Sequence, residues 1–151
     1  MWTRKLAHQS PQWKAATYAL VIDLSRAVTV NAGKLGAHRL QAGTYIYAGG
    51  ARRGFNARVA RHLSKKKRLH WHVDYLLASK YATVIKVWAF SADISECDII
   101  SILKVGQNIT APIKSFGASD CRNRCPAHLL RSSRSVVGVL KKLGGKLYDI
   151  Y

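Results

Sequence analysis

A single α/β domain, in the α+β sense of strands and helices sharing one core, is the fold class this sequence predicts, and three observations predict it. Residues 17–24 and 44–48 are short apolar runs rich in strand formers. Phe55, Val59 and Leu63 then recur at every fourth residue, the period of a buried helix stripe. Residues 83–90 return to the alternation and β-branching of a strand, and Ser95 follows as a helix N-cap.

Residues 1–16 carry Trp2, Trp13 and Pro11 without periodicity, so an irregular arm is expected there, with the domain occupying residues 17–151. Thr-Tyr-Ala-Leu-Val-Ile-Asp-Leu at 17–24 reads as the first strand, and Val28-Thr29-Val30, just after Ser25-Arg26, reads as its hairpin partner. Gly33, Gly36 and Gly43 punctuate the chain before the strand at 44–48, which is expected to stop at Gly49-Gly50. The helix that follows buries Phe55, Val59 and Leu63, with Arg58, Arg61, His62 and Lys65 on the adjoining side. A second helix is expected over residues 71–78, a strand over 83–90, and a helix from Ser95 to about residue 105. Beyond Pro112 come a polar loop, a short regular segment at 129–131 and a basic stretch at 135–147 broken by Gly144-Gly145. No repeat or linker divides the chain, which points to one domain.

In 151 residues, 25 Lys or Arg face only 7 acidic residues, a formal charge of +18. A domain this basic repels itself unless a polyanion balances it, so nucleic acid is the expected partner. No run of about 18 apolar residues is present, and Met1-Trp2-Thr3-Arg4-Lys5 lacks the apolar stretch of a signal peptide, so no membrane role and a cytoplasmic location are expected. Cys97, Cys121 and Cys125 are an odd set for a secreted disulfide framework; reduced thiols or a metal are the alternatives.

Eight cations and no acid lie between Arg52 and Arg68, including Arg53, Arg61, Lys65, Lys66 and Lys67. Such a run fits phosphate binding or a plain solvated face, and the charge of the whole chain favours phosphate. Arg58 and His62, four apart on a helix, project to one side, where a guanidinium holds phosphate and an imidazole moves a proton. Tyr45 and Tyr47 share one face of their strand, and Tyr18 lies on the strand before. Buried phenols are more often core residues, and the basic helix beside them is what suggests chemistry.

A strand ending Tyr47-Ala48-Gly49-Gly50-Ala51 and running into a basic helix resembles the GIY-YIG nucleases. Closer still is the resemblance to small archaeal and bacterial proteins of unassigned function described as Uri-superfamily endonucleases within that group. It covers most of the chain. It is carried by Thr17-Tyr18, Ala42–Ala51, Arg58–Leu63, Leu69–Leu77, Ser95-Glu96-Cys97, Phe116–Cys121 and Cys125-Pro126-Ala127-His128-Leu129. The resemblance implies a GIY-YIG-like mixed β-sheet flanked by helices, and a metal-dependent endonuclease cutting phosphodiester bonds, DNA before RNA. Tyr18 and Tyr47 are then the paired phenols, one lowered in pKa by the cations so that it helps deprotonate water. Arg58 binds the phosphate and His62 assists. Glu96, the only Glu of the chain, holds Mg²⁺ or Mn²⁺, with Asp98 and Asp74 as substitutes. Ala16 stands where the family pattern has Gly, and the interval from Tyr18 to Tyr47 is longer than the usual hairpin.

Two further constellations remain. If extended, residues 70–74 gather His70, His72 and Asp74 on one face as possible ligands; if helical, they do not. Cys121, Cys125 and His128 supply three corners of a possible Zn²⁺ site, with Cys97 or a distant His as fourth, against a structural loop with reduced thiols. A non-catalytic DNA- or RNA-binding module keeping the basic groove is the competing reading. A zinc-stabilised interaction protein is a third.

Overall fold

The computed structural model describes residues 14–119, 121–123 and 125–150. Residues 1–13 of the expected arm lie outside them. Ala15 and Ala16, assigned to that arm by sequence, instead begin the first strand, β1 (Ala15–Leu24).

β1 is buried at nine of its ten positions, because it is the middle of the sheet and both its faces are covered. Its uninterrupted apolar run has that cause. Tyr18, Leu20, Ile22 and Leu24 enter one core; Ala19 and Val21 enter another on the opposite face. β1 does not pair with the residues after Ser25-Arg26. Those form β2 (Val28–Asn31), which pairs with β3 (Ala37–Leu40) in a separate two-stranded sheet. The expected hairpin with β1 is replaced because a ten-residue apolar strand needs two long partners, and four-residue β2 covers too little of it.

Those partners are β4 (Gly43–Gly50) and β5 (Ala82–Ser91). β4 runs through Gly49-Gly50, where sequence placed its end, since both glycines pair with β1. With β6 (Ile109–Thr110), β7 (Leu129–Ser132) and β8 (Lys146–Tyr148), the large sheet has the order β6-β7-β4-β1-β5-β8. Each of its ladders is antiparallel, which corrects the mixed sheet that the resemblance implied and leaves the α+β class as expected.

The first face carries α1 (Phe55–Leu63), whose Phe55 and Val59 are buried as the four-residue period predicts, and α2 (His72–Leu77), which adds Val73, Leu76 and Leu77. The second face carries α3 (Glu96–Lys104) and α4 (Val137–Lys142), through Ile99, Ile100, Leu103 and Leu140. Ser95 caps α3: its Oγ accepts from the Asp98 amide at 3.1 Å, and the Asp98 carboxylate accepts from the Ser95 amide at 2.9 Å. Asp98 is thereby occupied as a cap. Among the described residues no helix is long and apolar enough to cross a membrane.

Residues 70–74 are not extended. Asp74 is fully buried in the first turn of α2, where it accepts from Arg61 Nη1 and Nη2 at 2.9 Å each and from the His70 and Trp71 amides at 2.9 and 2.8 Å. Those four bonds hold its carboxyl below the usual carboxylate range against the opposing pull of burial. His72 Nδ1 accepts from the Gly117 amide at 2.8 Å. The three residues therefore form no ligand set; Asp74 ties α1 to the start of α2.

Asp74→Ala is expected to destabilise the protein by about 3–5 kcal/mol, since it strands a partly buried guanidinium and two amides. Denaturant unfolding checks this; a loss below about 1 kcal/mol would mean that water readily replaces the carboxylate.

Candidate functional site

The β1–β4 ladder sets Tyr18 opposite Gly49 and Leu20 opposite Tyr47, so the two phenols are diagonal neighbours on the face under α1. Gly49 has to be glycine: a Cβ there would run into the Tyr18 phenol, whose ring lies across β4. Gly50 plays the same part for the other side. A Cβ there would meet the Glu96 carboxylate, brought by the first residue of α3 to the end of the strand. Thr17 fixes that approach, its Oγ1 donating to the Ile94 carbonyl at 2.6 Å.

From above, α1 delivers Arg58 and His62. Arg58 Nη1 donates to the Gly50 carbonyl at 3.0 Å, and its guanidinium lies 4.3 Å from the centre of the Trp71 ring. Arg61 approaches the same ring at 4.3 Å, so one indole carries two cations. His62, expected on the side adjoining the apolar stripe, is buried with it. Only 2% exposed, it packs against Tyr18, Tyr47 and Trp71, with Nε2 2.6 Å from the Tyr18 oxygen.

Tyr18, Tyr47, Arg58, Trp71 and Glu96 line one cleft of about 460 Å³, closed on the far side by Gly117, Arg122, Asn123 and His128. Sequence reasoning named four of the first five as site residues. Trp71, which the sequence offered for base stacking and within the matching stretch 69–77, was not among them. Arg122 and Asn123 were missed; a polar loop far along the chain gave no sign that it folds back to β4.

Burial dominates the electrostatics. It pushes the Tyr18 phenol up to about 12, although Arg58 pulls the other way, and it raises Tyr47 further. The expectation that the cations lower a phenol is thus reversed: one guanidinium does not offset the loss of water around two packed rings. Burial, helped by Lys67, Arg61 and Arg58, lowers His62 to about 4, so its imidazole is neutral at pH 7. Its Nδ1 has no hydrogen-bond partner among the described residues, and its Nε2 shares one hydrogen with the Tyr18 hydroxyl. Burial disfavours both the phenolate and the imidazolium, so both groups rest uncharged. The pair therefore waits neutral until a charge in the cleft favours the phenolate.

The cations predicted to bind nucleic acid divide into two groups. Arg61 is held by Asp74 and by the Arg68 carbonyl at 2.8 Å. Lys65 Nζ donates to the carbonyls of Leu77, Ser79 and Ala82 at 2.7, 2.9 and 2.7 Å, and Lys67 Nζ to those of Arg61 and His62 at 3.1 and 2.9 Å. These three seal helix ends and a strand start. Arg52, Arg53, Lys66 and Arg68 are exposed.

Next to Glu96, Cys97 comes together with Cys121, Cys125 and His128. Their ligand atoms all lie within 4.8 Å of one another, an arrangement able to hold a metal ion. Cys97 supplies the fourth corner that sequence left open. The Cys97 and Cys125 sulfurs touch, and Cys97 Sγ stands 3.3 Å from Cys121 Sγ and 3.7 Å from His128 Nε2.

The family model of the domain of unknown function DUF123 matches residues 17–147. Neither the curated proteins nor the solved structures contain a match to this chain.

Acid should reveal the buried imidazole. The folded pKa of His62, near 4, lies below the ordinary value of 6.5, so the unfolded chain binds the proton first. Its stabilising contribution is whole above about pH 6.5 and is lost as pH falls toward 4, by about 3 kcal/mol. Unfolding free energies at about pH 7 and about pH 4.5 should differ by most of that in the native chain and by much less in His62→Gln. Equal slopes in both would remove His62 as the cause.

Proposed function

The chain belongs to the DUF123 family, and on the contents of its cleft we propose that it is a divalent-metal-dependent endonuclease hydrolysing phosphodiester bonds in nucleic acid, DNA before RNA. One observation carries the reading: Tyr18, Tyr47, Arg58 and Glu96 meet in a single cleft although they come from four separate elements. They are the residues for which the GIY-YIG resemblance implies roles.

In this reading a scissile phosphate enters the cleft that Tyr18, Tyr47, Arg58 and Glu96 line. Arg58 turns its remaining donors to the phosphate oxygens, kept extended by its bond to the Gly50 carbonyl and by the Trp71 ring beneath. Tyr18 takes a proton from the attacking water as His62 receives the phenol's own proton, the step that waits for charge in the cleft. Tyr47, held neutral, donates its hydroxyl hydrogen to the phosphate or the water. Glu96 would ligate Mg²⁺ or Mn²⁺; one carboxylate suits an ion that keeps most of its waters and takes phosphate oxygens, and such an ion supplies stabilisation of the leaving oxygen. Arg52, Arg53, Lys66 and Arg68 extend the positive surface outward for the flanking phosphates.

Labelled single-stranded, duplex and branched DNA and structured RNA should be cut with Mg²⁺ or Mn²⁺ and not with EDTA. Arg58→Ala, Tyr47→Phe and Glu96→Gln should each slow cutting by about 10²–10³-fold while far-ultraviolet dichroism stays native. Unchanged cutting by Arg58→Ala would remove the assignment. Salt-sensitive binding with no cutting of any substrate would favour the binding module instead.

A further inference from the structure

We propose that Cys97, Cys121, Cys125 and His128 bind one zinc ion in a closed centre of three thiolates and one imidazole, which fastens the loop bearing Arg122 and Asn123 to the first turn of α3. Zinc binding stands apart from the nuclease reading. Only its consequence for Glu96, the neighbour of Cys97, rests on that reading.

Apart from the touching Cys97 and Cys125 sulfurs, which an ion would part, the distances are those of a ligand shell. Zinc–sulfur bonds of about 2.3 Å in a tetrahedron place ligand atoms roughly 3.5–4 Å apart. Here Cys97 Sγ lies 3.3 Å from Cys121 Sγ and 3.7 Å from His128 Nε2, and all four atoms fit within 4.8 Å. A Cys97–Cys125 disulfide would employ two of the converging groups, whereas one ion employs all four. Three soft sulfurs and an imidazole suit zinc and are a poor shell for Mg²⁺ or Ca²⁺. The thiols give their protons to solvent on binding.

The surrounding chain gives the ion work to do. Between β6 and β7 the described residues form no helix or strand, only turns and two cross-loop bonds, Ser115 N–H to the Pro126 carbonyl at 2.6 Å and His128 N–H to the Phe116 carbonyl at 2.8 Å. A connection this long without regular structure is unusual in a small domain unless something closes it. Three ligands come from that loop and the fourth from α3 across the cleft wall, so the ion is the link between them. Glu96 precedes Cys97, and fixing Cys97 fixes where its carboxylate stands against Gly50.

The full chain, purified under reducing conditions and passed through dilute chelator, should retain about one zinc per molecule by elemental analysis. Exchange into Co²⁺ should give intense visible bands of a tetrahedral site and a near-ultraviolet thiolate-to-cobalt band. Cys121→Ser should lose zinc occupancy about tenfold or more. His128→Cys should keep zinc and move the cobalt bands toward those of an all-thiolate site, a change that a merely folded loop would not produce. Glu96→Gln should keep full zinc, which separates this centre from the cleft chemistry. Metal-free wild type with two thiols missing on titration would establish the disulfide and overturn the proposal. So would zinc removed by the dilute chelator, or a Cys121→Ser protein that binds as wild type does. Failure of a variant to fold leaves wild-type stoichiometry and the cobalt spectrum to decide.

Discussion

The register between β1 and β4 is the constraint on which the cleft depends. Tyr18 faces α1 because it stands opposite Gly49, and only a residue without a side chain lets its ring cross the neighbouring strand. A slip of one residue would send Tyr18 to the α3 side and expose the apolar set of β1 to the wrong core. Everything above the sheet follows this placement. His62 reaches the phenol from α1, Trp71 packs on His62, and Asp74 holds Trp71 and Arg61 where the two guanidinium groups meet the indole.

Charge in this protein is distributed unevenly. With +18 overall, the one fully buried acid among the described residues, Asp74, is saturated by an arginine and two amides, and two lysines are saturated by backbone carbonyls. These cations act as local clamps, and of them Arg61 has its charge offset by a carboxylate. The cations that a polyanion would touch are the exposed ones. Inside the cleft the balance is reversed: packing raises both phenols and keeps the imidazole neutral despite the cations nearby.

The sequence made legible whatever depends on local pattern. The stripe of Phe55 and Val59, the Ser95 cap and the apolar run of β1 each produce their element by short-range physics, and the structure has all three. Pairing was less legible. Val28–Val30 sits next to β1 in the chain, but its partner is Ala-His-Arg-Leu at 37–40, a segment with almost no strand signal of its own. Backbone partners were not legible: Lys65 and Lys67 donate to carbonyls that no sequence pattern announces. The sign of the phenol shift failed likewise, because burial depth is a property of the assembled layers. Cys97 as a fourth ligand-like group needed the loop to fold across α3, which spacing alone does not encode.

The sheet order also bears on synthesis. β1 is the longest apolar strand and emerges before its partners β4 and β5, the second of which ends at Ser91. Until then the nascent chain carries an unpaired apolar strand, the kind of edge that draws in other chains. Lys14 on one side and Arg26 on the other flank it with charge, the arrangement that keeps such strands apart during slow pairing. The β2–β3 hairpin lies in the interval between the first strand and β4 and pairs without using either edge of β1, although its Val30 and Leu40 join the same core.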